Sequence, residues 1–305
     1  MTYKTLSTED LALLPCAESD FHRIRERNNI YVDKTALIYK LAITTQKFFF
    51  SRPRRFGKTL LLSTFESLFK YGLRDFKGLA IEKLWTDKKT YPVIRLDFSD
   101  CTDFDDEDEF KEFFDEMLLK AVSNSGLVLP KTDPDLGLKT VLSRFDYLLE
   151  HAQSPLPVLL IDEYDAPLND CLKNPELHFK VQRTLARFYS KLKKNSPNLR
   201  FLFITGICKH NTLDLFSSGN FIQDISFSTD YGSLTGYTVQ EVEKYFTHYI
   251  ENAAAKLHLS FDECFAKMRR YYDGFCFEMY GEQHVFSPWS VLNFLSKPKD
   301  GFRNY

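Results

Sequence analysis

The sequence predicts an α/β fold in which a parallel sheet is covered by helices on both faces. Five short apolar or β-rich runs have the length of buried strands, at residues 47–51, 92–99, 157–162, 200–206 and 221–227. Longer segments with helical spacing lie between them, at residues 59–71, 109–123, 136–151 and 176–195. Because parallel strands need long crossover connections, this alternation favours a three-layer αβα sandwich.

The pattern changes after about Ser228. Three further segments read as helices with no buried strand between them, at residues 239–257, 261–272 and 287–295. We therefore predict a core domain at residues 1–232 and a helical subdomain at residues 233–305. A chain of 305 residues with 44% hydrophobic content is long enough for one large core or two modest ones.

Composition limits the expected partners and location. The 40 basic and 42 acidic residues nearly cancel, so net charge gives no reason to expect nucleic acid, although a local basic patch stays open. No apolar run approaches the roughly 20 residues that cross a bilayer, and the first residues do not resemble a secretion signal. The six cysteines form no C-x-x-C pair, which favours free thiols over a zinc site or disulfides. We expect a cytoplasmic protein without a membrane partner.

A loop after the first predicted strand carries the first chemical signal. It has the order strand, loop, helix that phosphate-binding G-x-x-x-x-G-K-[ST] sequences require. Arg52 stands at the first glycine position, where the sequence departs from that pattern. The candidate nucleotide-binding residues are Arg52, Pro53, Arg54, Arg55, Phe56, Gly57, Lys58, Thr59 and Leu60. Taken alone, the loop is also compatible with a basic surface turn.

The residue types of this loop suit a bound triphosphate. Consecutive backbone amides and Gly57 would let phosphate approach closely, and the ammonium group of Lys58 would lie beside the terminal phosphates. The hydroxyl of Thr59 would be a ligand of Mg²⁺ at the N-terminus of the following helix.

A second motif ends the predicted strand at residues 157–162. It places two adjacent carboxylates, Asp162 and Glu163, at the edge where active sites of parallel sheets gather. Asp162 would hold Mg²⁺, and Glu163 would orient or deprotonate the attacking water. Acids are also common in surface turns after a buried strand. The two motifs together predict a P-loop nucleoside triphosphatase that binds ATP with Mg²⁺.

The strand at residues 200–206 supplies a third candidate, Thr205. In P-loop enzymes with a glutamate after the aspartate, an additional strand lies between the two motif strands and presents a polar residue to the γ-phosphate. Thr205 is therefore the leading sensor candidate, and a threonine that merely ends a strand is the alternative. The five strands then fit the spatial order 5-1-4-3-2. Lys209, His210 and Asn211 follow this strand.

Several segments together resemble the AAA-ATPase-like family. They are YVDKT at 31–35, FFFSRPRRFGKTL at 48–60, LLIDEYDAPL at 159–168, FITGICKHN at 203–211 and YYDGFCF at 271–277. Members of this family typically carry arginine at the position of Arg52. They are often joined to a C-terminal nuclease-like domain of the PD-(D/E)XK type. No such motif is visible in this sequence, so that domain is not expected within it.

The resemblance also implies roles for the flanking segments. Residues 233–238 would introduce a helical lid. The segment before the first strand would flank the adenine base, with Arg23, Ile24 and Tyr31 as candidates. Core packing is the alternative for Ile24.

Two functions from different classes follow from these motifs. The first is a turnover ATPase in which Glu163 activates water. The second is a nucleotide-controlled, STAND-like switch or scaffold with little turnover, which would regulate a nuclease-like domain or another partner. Nucleic-acid contact through Arg52, Arg54 and Arg55 is a weaker third hypothesis, because the phosphates of ATP would explain these arginines. A homo-oligomer or a protein partner stays open.

Overall fold

The computed structural model describes residues 12–209 and 221–303. Its helices are α1 (Phe21–Glu26), α2 (Thr35–Ala42), α3 (Lys58–Tyr71), α4 (Glu107–Asn124), α5 (Val141–Glu150), α6 (Ala166–Asp170), α7 (Pro175–Asn195), α8 (Val239–Lys256), α9 (Phe261–Tyr272) and α10 (Pro288–Ser296). Its strands are β1 (Lys47–Ser51), β2 (Val93–Asp97), β3 (Val158–Asp162), β4 (Phe201–Gly206), β5 (Gln223–Asp224), β6 (Asp273–Cys276) and β7 (His284–Phe286). No helix in these ranges has the length and apolar character to cross a membrane.

The backbone packs as two units. The sheet unit consists of Thr35–Arg54 and Phe65–Ser228. The helical unit consists of the described residues up to Lys34, of Arg55–Thr64, and of the described residues from Thr229 onward. The predicted domains, 1–232 and 233–305, differ from this division in three places, and the smallest difference is the boundary, which lies at 228/229 instead of 232/233. The N-terminal segment and most of the candidate phosphate loop belong to the helical unit.

The sheet contains β5, β1, β4, β3 and β2 in that spatial order, and every neighbouring pair is parallel. This is the predicted succession 5-1-4-3-2, but β5, the edge strand beside β1, differs in detail from the prediction. Only Gln223 and Asp224 are strand residues there, and both are exposed, whereas residues 221–227 were expected. The pairing ends because the backbone N–H of Ser51 donates to the hydroxyl of Ser226, at 2.9 Å, instead of to a backbone carbonyl.

Alternate side chains of β4 show how both faces of the sheet are covered. Phe201 and Phe203 contact Phe65 of α3, with ring centroids 5.0 Å apart in each pair. Leu202 and Ile204 face the other way and pack in a core with residues of α4, α5 and α7. All residues of β3 and β4 are buried, so these strands read as continuous apolar runs.

Side-chain caps explain why two helices begin elsewhere than predicted. The carboxylate of Asp106 accepts hydrogen bonds from the backbone N–H groups of Asp108 and Glu109, so α4 begins at residue 107 rather than 109. Thr140 and Ser143 form a reciprocal capping box, so α5 begins at residue 141 rather than 136.

The helical unit contains a hairpin that the sequence pattern did not indicate. Strands β6 and β7 pair antiparallel between α9 and α10, where only helices were expected. Phe286 of β7 also exchanges two backbone hydrogen bonds with Tyr237. The unit has its own core of side chains from α8, α9, α10 and β7, which includes Val242, Met268 and Phe294. Strands of three and four residues are too short to give a clear alternating pattern.

The N-terminal segment packs within this helical unit. The ammonium group of Lys34 donates to the carboxylate of Glu241 at 2.6 Å. Ile24 is fully buried, which agrees with the core-packing interpretation of this residue. Tyr31 is also buried, whereas Arg23 is exposed. An adenine contact of this segment stays a prediction.

Candidate functional site

Arg52 directly follows β1 and is held by the sheet unit. Its side chain is 1% exposed, its Nη1 donates to the carbonyl oxygens of Ser51 at 2.8 Å and Ser226 at 2.6 Å, and its guanidinium lies 4.2 Å from the centroid of the Phe50 ring. Burial lowers the pKa of Arg52 below its usual range, and the nearby carboxylate of Asp224 opposes that shift. Arg52 is therefore not a solvated surface residue, and its guanidinium ties the end of β1 to residues after β5.

The rest of the loop has an unusual backbone. Gly57 has φ = 81°, and a Cβ built on it would meet nothing within 4 Å, so open space lies beside this glycine. Arg55 has φ = 68°, which is uncommon for a residue with a side chain. Lys58 begins α3 and is buried, and the N–H of Leu61 donates to the carbonyl of Gly57 at 3.0 Å. These features fit a loop whose amides are turned toward a ligand.

Two loop side chains contact the C-terminal part of the helical unit. The ring of Phe56 meets the rings of Phe275 and Phe277 edge-on, with centroids 4.7 and 5.2 Å away. The guanidinium of Arg55 lies over Trp289, 4.4 Å from the ring centroid. Of the other candidates, Arg54 is exposed, and Pro53, Thr59 and Leu60 are partly exposed.

Asp162 ends β3 with one satisfied carboxylate oxygen and one unsatisfied oxygen. Its Oδ1 accepts from the hydroxyl of Thr205 at 2.6 Å and from the backbone N–H of Glu163 at 3.1 Å. Its Oδ2 is buried, and no hydrogen-bond donor from residues 12–209 or 221–303 reaches it. An anionic oxygen without a donor is the kind of ligand that Mg²⁺ prefers, so the residues present fit a metal ion at this position.

Arg95 brings a positive charge close to that oxygen. It lies on β2, and its Nη2 is 4.0 Å from Asp162 Oδ2. Its Nη1 donates to Glu66 of α3 at 3.0 Å. Sequence reasoning missed Arg95, because a single arginine inside a strand pattern carries no motif.

Glu163 and Asp165 occupy a tight turn after β3. Glu163 has φ = 47°, a left-handed conformation that costs a non-glycine residue about 1–2 kcal/mol. Asp165 is fully buried, and its carboxylate accepts from the backbone N–H groups of Ile207 and Cys208 at 3.1 and 3.2 Å. Sequence reasoning assigned no role to Asp165, although it belongs to the IDEYD segment. The turn therefore exposes Glu163 partly and fixes the chain that leaves β4.

Thr205 lies on β4 beside Asp162 and is fully buried. Its hydroxyl donates to Asp162 Oδ1, so this geometry makes Thr205 a positioning residue for the aspartate. The sensor role predicted for it would need the same hydroxyl to turn toward a ligand. Lys209 is exposed and pairs with Asp224 at 3.0 Å, whereas His210 and Asn211 lie outside the described residues.

The sheet unit thus brings three predicted site residues, Arg52, Asp162 and Thr205, to one edge of the sheet. The backbone N–H of Arg52 donates to the carbonyl of Gly206 at 3.1 Å, and the residue before Gly206 holds Asp162. This edge is formed by the carboxyl ends of β1, β4 and β3, where parallel α/β sheets bind their ligands. The phosphate contacts of residues 55–60 stay predictions.

Comparison with known proteins decides the family. The family described as "Predicted AAA-ATPase" matches residues 15–216. The chain belongs to this AAA-ATPase-like family. The match includes β1 to β4, the candidate phosphate loop, Asp162 and Glu163. The resemblance inferred from the sequence motifs is confirmed.

A curated relative and a solved structure are also similar to this chain. The "Uncharacterized protein in vnfD 5'region" of Azotobacter chroococcum mcd 1 is 31% identical over 296 residues, which are 96% of this chain and 53% of that protein. The chain therefore spans about half the length of this relative. A structure of C. elegans PCH-2 matches with 14% identity and a TM-score of 0.32, over 83% of this chain and 55% of that chain. This likeness is too weak to support an argument.

Proposed function

We propose that the chain binds ATP with Mg²⁺ and hydrolyses it to drive or gate a conformational change. The observation that carries the proposal is the buried Oδ2 of Asp162, which accepts from no donor within residues 12–209 and 221–303. It lies beside Thr205, at the sheet edge where β1 leads into a Gly-Lys-Thr loop. A carboxylate left in this state calls for a cation, and the loop supplies the residue types that bind the phosphates of its nucleotide. Membership of the AAA-ATPase-like family supports a nucleotide-binding role.

Each residue has a separate task in this proposal. The backbone N–H groups of residues 54–58 and the ammonium of Lys58 bind the phosphates, and Thr59 and Asp162 hold the metal ion. Bound Mg²⁺ would neutralise charge that develops on the phosphates during transfer. Thr205 keeps Asp162 oriented, and Glu163 accepts or orients the proton of the attacking water. Arg52 holds the start of the loop through its bond to the Ser226 carbonyl.

A nucleotide-controlled switch with little turnover is the second candidate. The observation that favours it is the contact of two loop side chains, Arg55 and Phe56, with Trp289 and the aromatic residues of β6–β7. A change in the conformation of the loop on nucleotide binding would alter the contacts of Trp289, Phe275 and Phe277 directly. Residues 233–305 would then act as the lid that transmits the change.

The properties of a longer protein belong to the proposal as well. The curated relative is about twice as long as the part matched here, which leaves room for a further domain such as a nuclease-like one. An ATP-driven switch could regulate such a domain. It is equally compatible with a homo-oligomer or with another protein partner. A cytoplasmic location stays a prediction.

Binding is tested by calorimetry with ATP, with and without Mg²⁺. Lys58→Ala should weaken ATP binding by about 1.5–3 kcal/mol, because a charge-assisted contact to phosphate is lost. Lys40→Ala, on the exposed side of α2, is the matched control and should bind as the parent does. Equal affinity of a folded Lys58→Ala variant and the parent would remove the phosphate loop from the proposal.

Hydrolysis is tested by single-turnover phosphate release. Glu163→Gln keeps the size of the side chain and removes the charge needed to deprotonate water, so ATP should still bind while release falls roughly 100-fold or more. Release at the parental rate would show that Glu163 is not the base. Tight binding by a parent that shows no turnover would favour the switch.

A further inference from the structure

The two oxygens of the Asp162 carboxylate differ in their hydrogen bonds. Oδ1 has two hydrogen-bond donors, from Thr205 and Glu163, whereas Oδ2 has none among the residues that the structure describes. Asp162 is 1% exposed, so water compensates little of this charge. The charged group that faces Oδ2 is the guanidinium of Arg95, whose Nη2 is 4.0 Å away. At that distance it supplies charge without closing a hydrogen bond.

Glu66 explains why Arg95 stops short of Asp162. The Arg95 guanidinium donates through Nη1 to Glu66 Oε2 at 3.0 Å, which is hydrogen-bond distance. Glu66 lies on α3, the helix that the candidate phosphate loop leads into. Arg95 therefore lies between two carboxylates: it is hydrogen-bonded to Glu66 and is too far from Asp162 for a hydrogen bond.

The Arg95 side chain is partly exposed and is not enclosed on all sides. It lines a cavity of about 200 Å³, together with Glu66, Asp97, Asp100 and Lys120. The side chains of Arg95 and Glu66 are each about one quarter exposed, so neither is locked by packing on all sides. A shift of roughly 1 Å toward Asp162 would turn the 4.0 Å approach into a direct ion pair.

We propose that Arg95 and Glu66 set the Mg²⁺ concentration at which the nucleotide site is filled. Arg95 supplies the counter-charge of Asp162 in the nucleotide-free protein and competes with the metal ion for Oδ2. Glu66 weakens this competition, because it holds the guanidinium away from the aspartate. The inference rests on the proposed function, since it requires Asp162 to be a ligand of Mg²⁺. Arg95 is a positioning residue in this scheme and takes no part in the chemistry.

The electrostatics give the two residues opposite effects. Removing the Arg95 charge abolishes its repulsion of a divalent ion at Asp162, so the metal should bind more tightly. Removing the charge of Glu66 frees Arg95 to pair with Asp162, so the metal should bind more weakly. Once Arg95 is gone, Glu66 has no guanidinium to restrain, so its removal acts only through the loss of its own negative charge and should have a smaller effect than in the parent.

The test is a Mg²⁺ titration of nucleotide binding, read from the fluorescence of a labelled ATP analogue. Arg95→Gln should lower the half-saturating Mg²⁺ concentration on the order of tenfold, the effect of one unit charge near a divalent ion in a largely aqueous dielectric. Glu66→Gln should raise it several-fold, and the double variant should resemble Arg95→Gln. Lys120→Gln is the matched control, because it loses the same charge from the same cavity at a side chain 71% exposed.

A second measurement needs no nucleotide. Arg95→Gln and Asp162→Asn are combined in a double-mutant cycle by urea denaturation of the ligand-free chain. With Asp162 present, Arg95→Gln should lower the folding equilibrium constant about tenfold, less than for a fully buried pair because Arg95 is partly exposed. In the Asp162→Asn background the same change loses only the partly exposed pair with Glu66, so it should cost clearly less.

The outcomes separate this inference from the proposed function. If the parent binds nucleotide and Arg95→Gln leaves its Mg²⁺ dependence unchanged, or makes the requirement higher, the inference is wrong and the nucleotide site stands. If the parent binds nucleotide at equal affinity without Mg²⁺, the inference also fails. If the parent binds no nucleotide at any Mg²⁺ concentration, the proposed function fails, and the double-mutant cycle alone decides whether Arg95 is the counter-charge of Asp162.

Discussion

Replacing Thr205 by valine tests whether this residue positions Asp162 in the nucleotide-free protein. Valine has nearly the same shape as threonine and suits a strand, so the change removes the hydroxyl and little else. The lost group donates to Asp162 Oδ1 at 2.6 Å, which leaves that oxygen with only the backbone N–H of Glu163 at 3.1 Å. We expect Thr205→Val to destabilise the sheet unit before any ligand is added.

The expected magnitude follows from the burial and charge of the bond. A hydrogen bond to a charged group contributes about 1.5–3 kcal/mol. The methyl group that replaces the hydroxyl is fully buried and returns up to about 0.8 kcal/mol of apolar burial. The free energy of unfolding should therefore fall by about 1–2 kcal/mol. In an Asp162→Ala background the hydroxyl of Thr205 has lost its carboxylate acceptor, so the same change should be neutral or stabilising.

The assay is urea unfolding followed by tryptophan fluorescence. The chain has two tryptophans, Trp85 in the sheet unit and Trp289 in the helical unit. A Trp289→Phe background leaves Trp85 to report on the sheet unit alone, which matters because a chain of two units need not unfold in one step. A change below about 0.5 kcal/mol for Thr205→Val would refute the reasoning, as would an equal loss in the Asp162→Ala background.

Two further predictions concern Gly206 and Lys47 of the sheet unit. Gly206→Ala would place a Cβ 2.4 Å from Tyr164 Cδ1 and 2.7 Å from Asp165 Oδ1, so it should lower the unfolding free energy of the sheet unit, read from Trp85, by about 3 kcal/mol. Gly274→Ala, with nothing within 4 Å, should change the unfolding free energy of its own helical unit, read from Trp289, by less than about 1 kcal/mol. Near-equal effects of the two changes would contradict the clash. Burial, helped by the like charge of a nearby arginine, lowers the pKa of Lys47 from 10.5 to about 8. Between these values the unfolded chain binds more protons, so Lys47 should contribute stability that rises with pH from about 8 to 10.5, and Lys47→Met should remove that rise in urea titrations at several pH values.

The sheet could be predicted because its strands are buried on both faces. The residues of β3 and β4 are all buried, and each strand begins with four apolar residues, at 158–161 and 201–204. Such runs separated by helical segments favour parallel strands. The run at residues 221–227 predicted a strand as well but not its short length, since only Gln223 and Asp224 pair and the neighbouring Ser226 replaces a backbone partner. The β6–β7 hairpin was missed for a related reason, because its strands are short and open with an irregular register.

The sequence motifs identify the residues of the candidate site, but they do not predict which contacts these residues make. Asp162 and Glu163 were found because two carboxylates after a buried strand form a recognisable pattern. The pattern does not reveal that Arg52 turns its guanidinium onto the carbonyl of Ser226, or that Thr205 donates to Asp162. Both contacts join residues far apart in sequence, and they depend on the spacing of neighbouring strands. Arg95 belongs to the same class, because it matters only through its distance from Asp162.

Two carboxylates of the segment from Asp162 to Asp165 form hydrogen bonds with β4 and with the residues that follow it. Asp162 accepts from the side chain of Thr205 inside β4, while Asp165 accepts from the backbone of Ile207 and Cys208 just after it. The close approach of Gly206 to this turn leaves no room for a side chain between the two contacts. Displacement of β4 at this edge would therefore disturb both carboxylates together. If Asp162 holds a metal ion as proposed, the position of that ion would depend on the residues that follow β4, and the proposed nucleotide site would be mechanically connected to them.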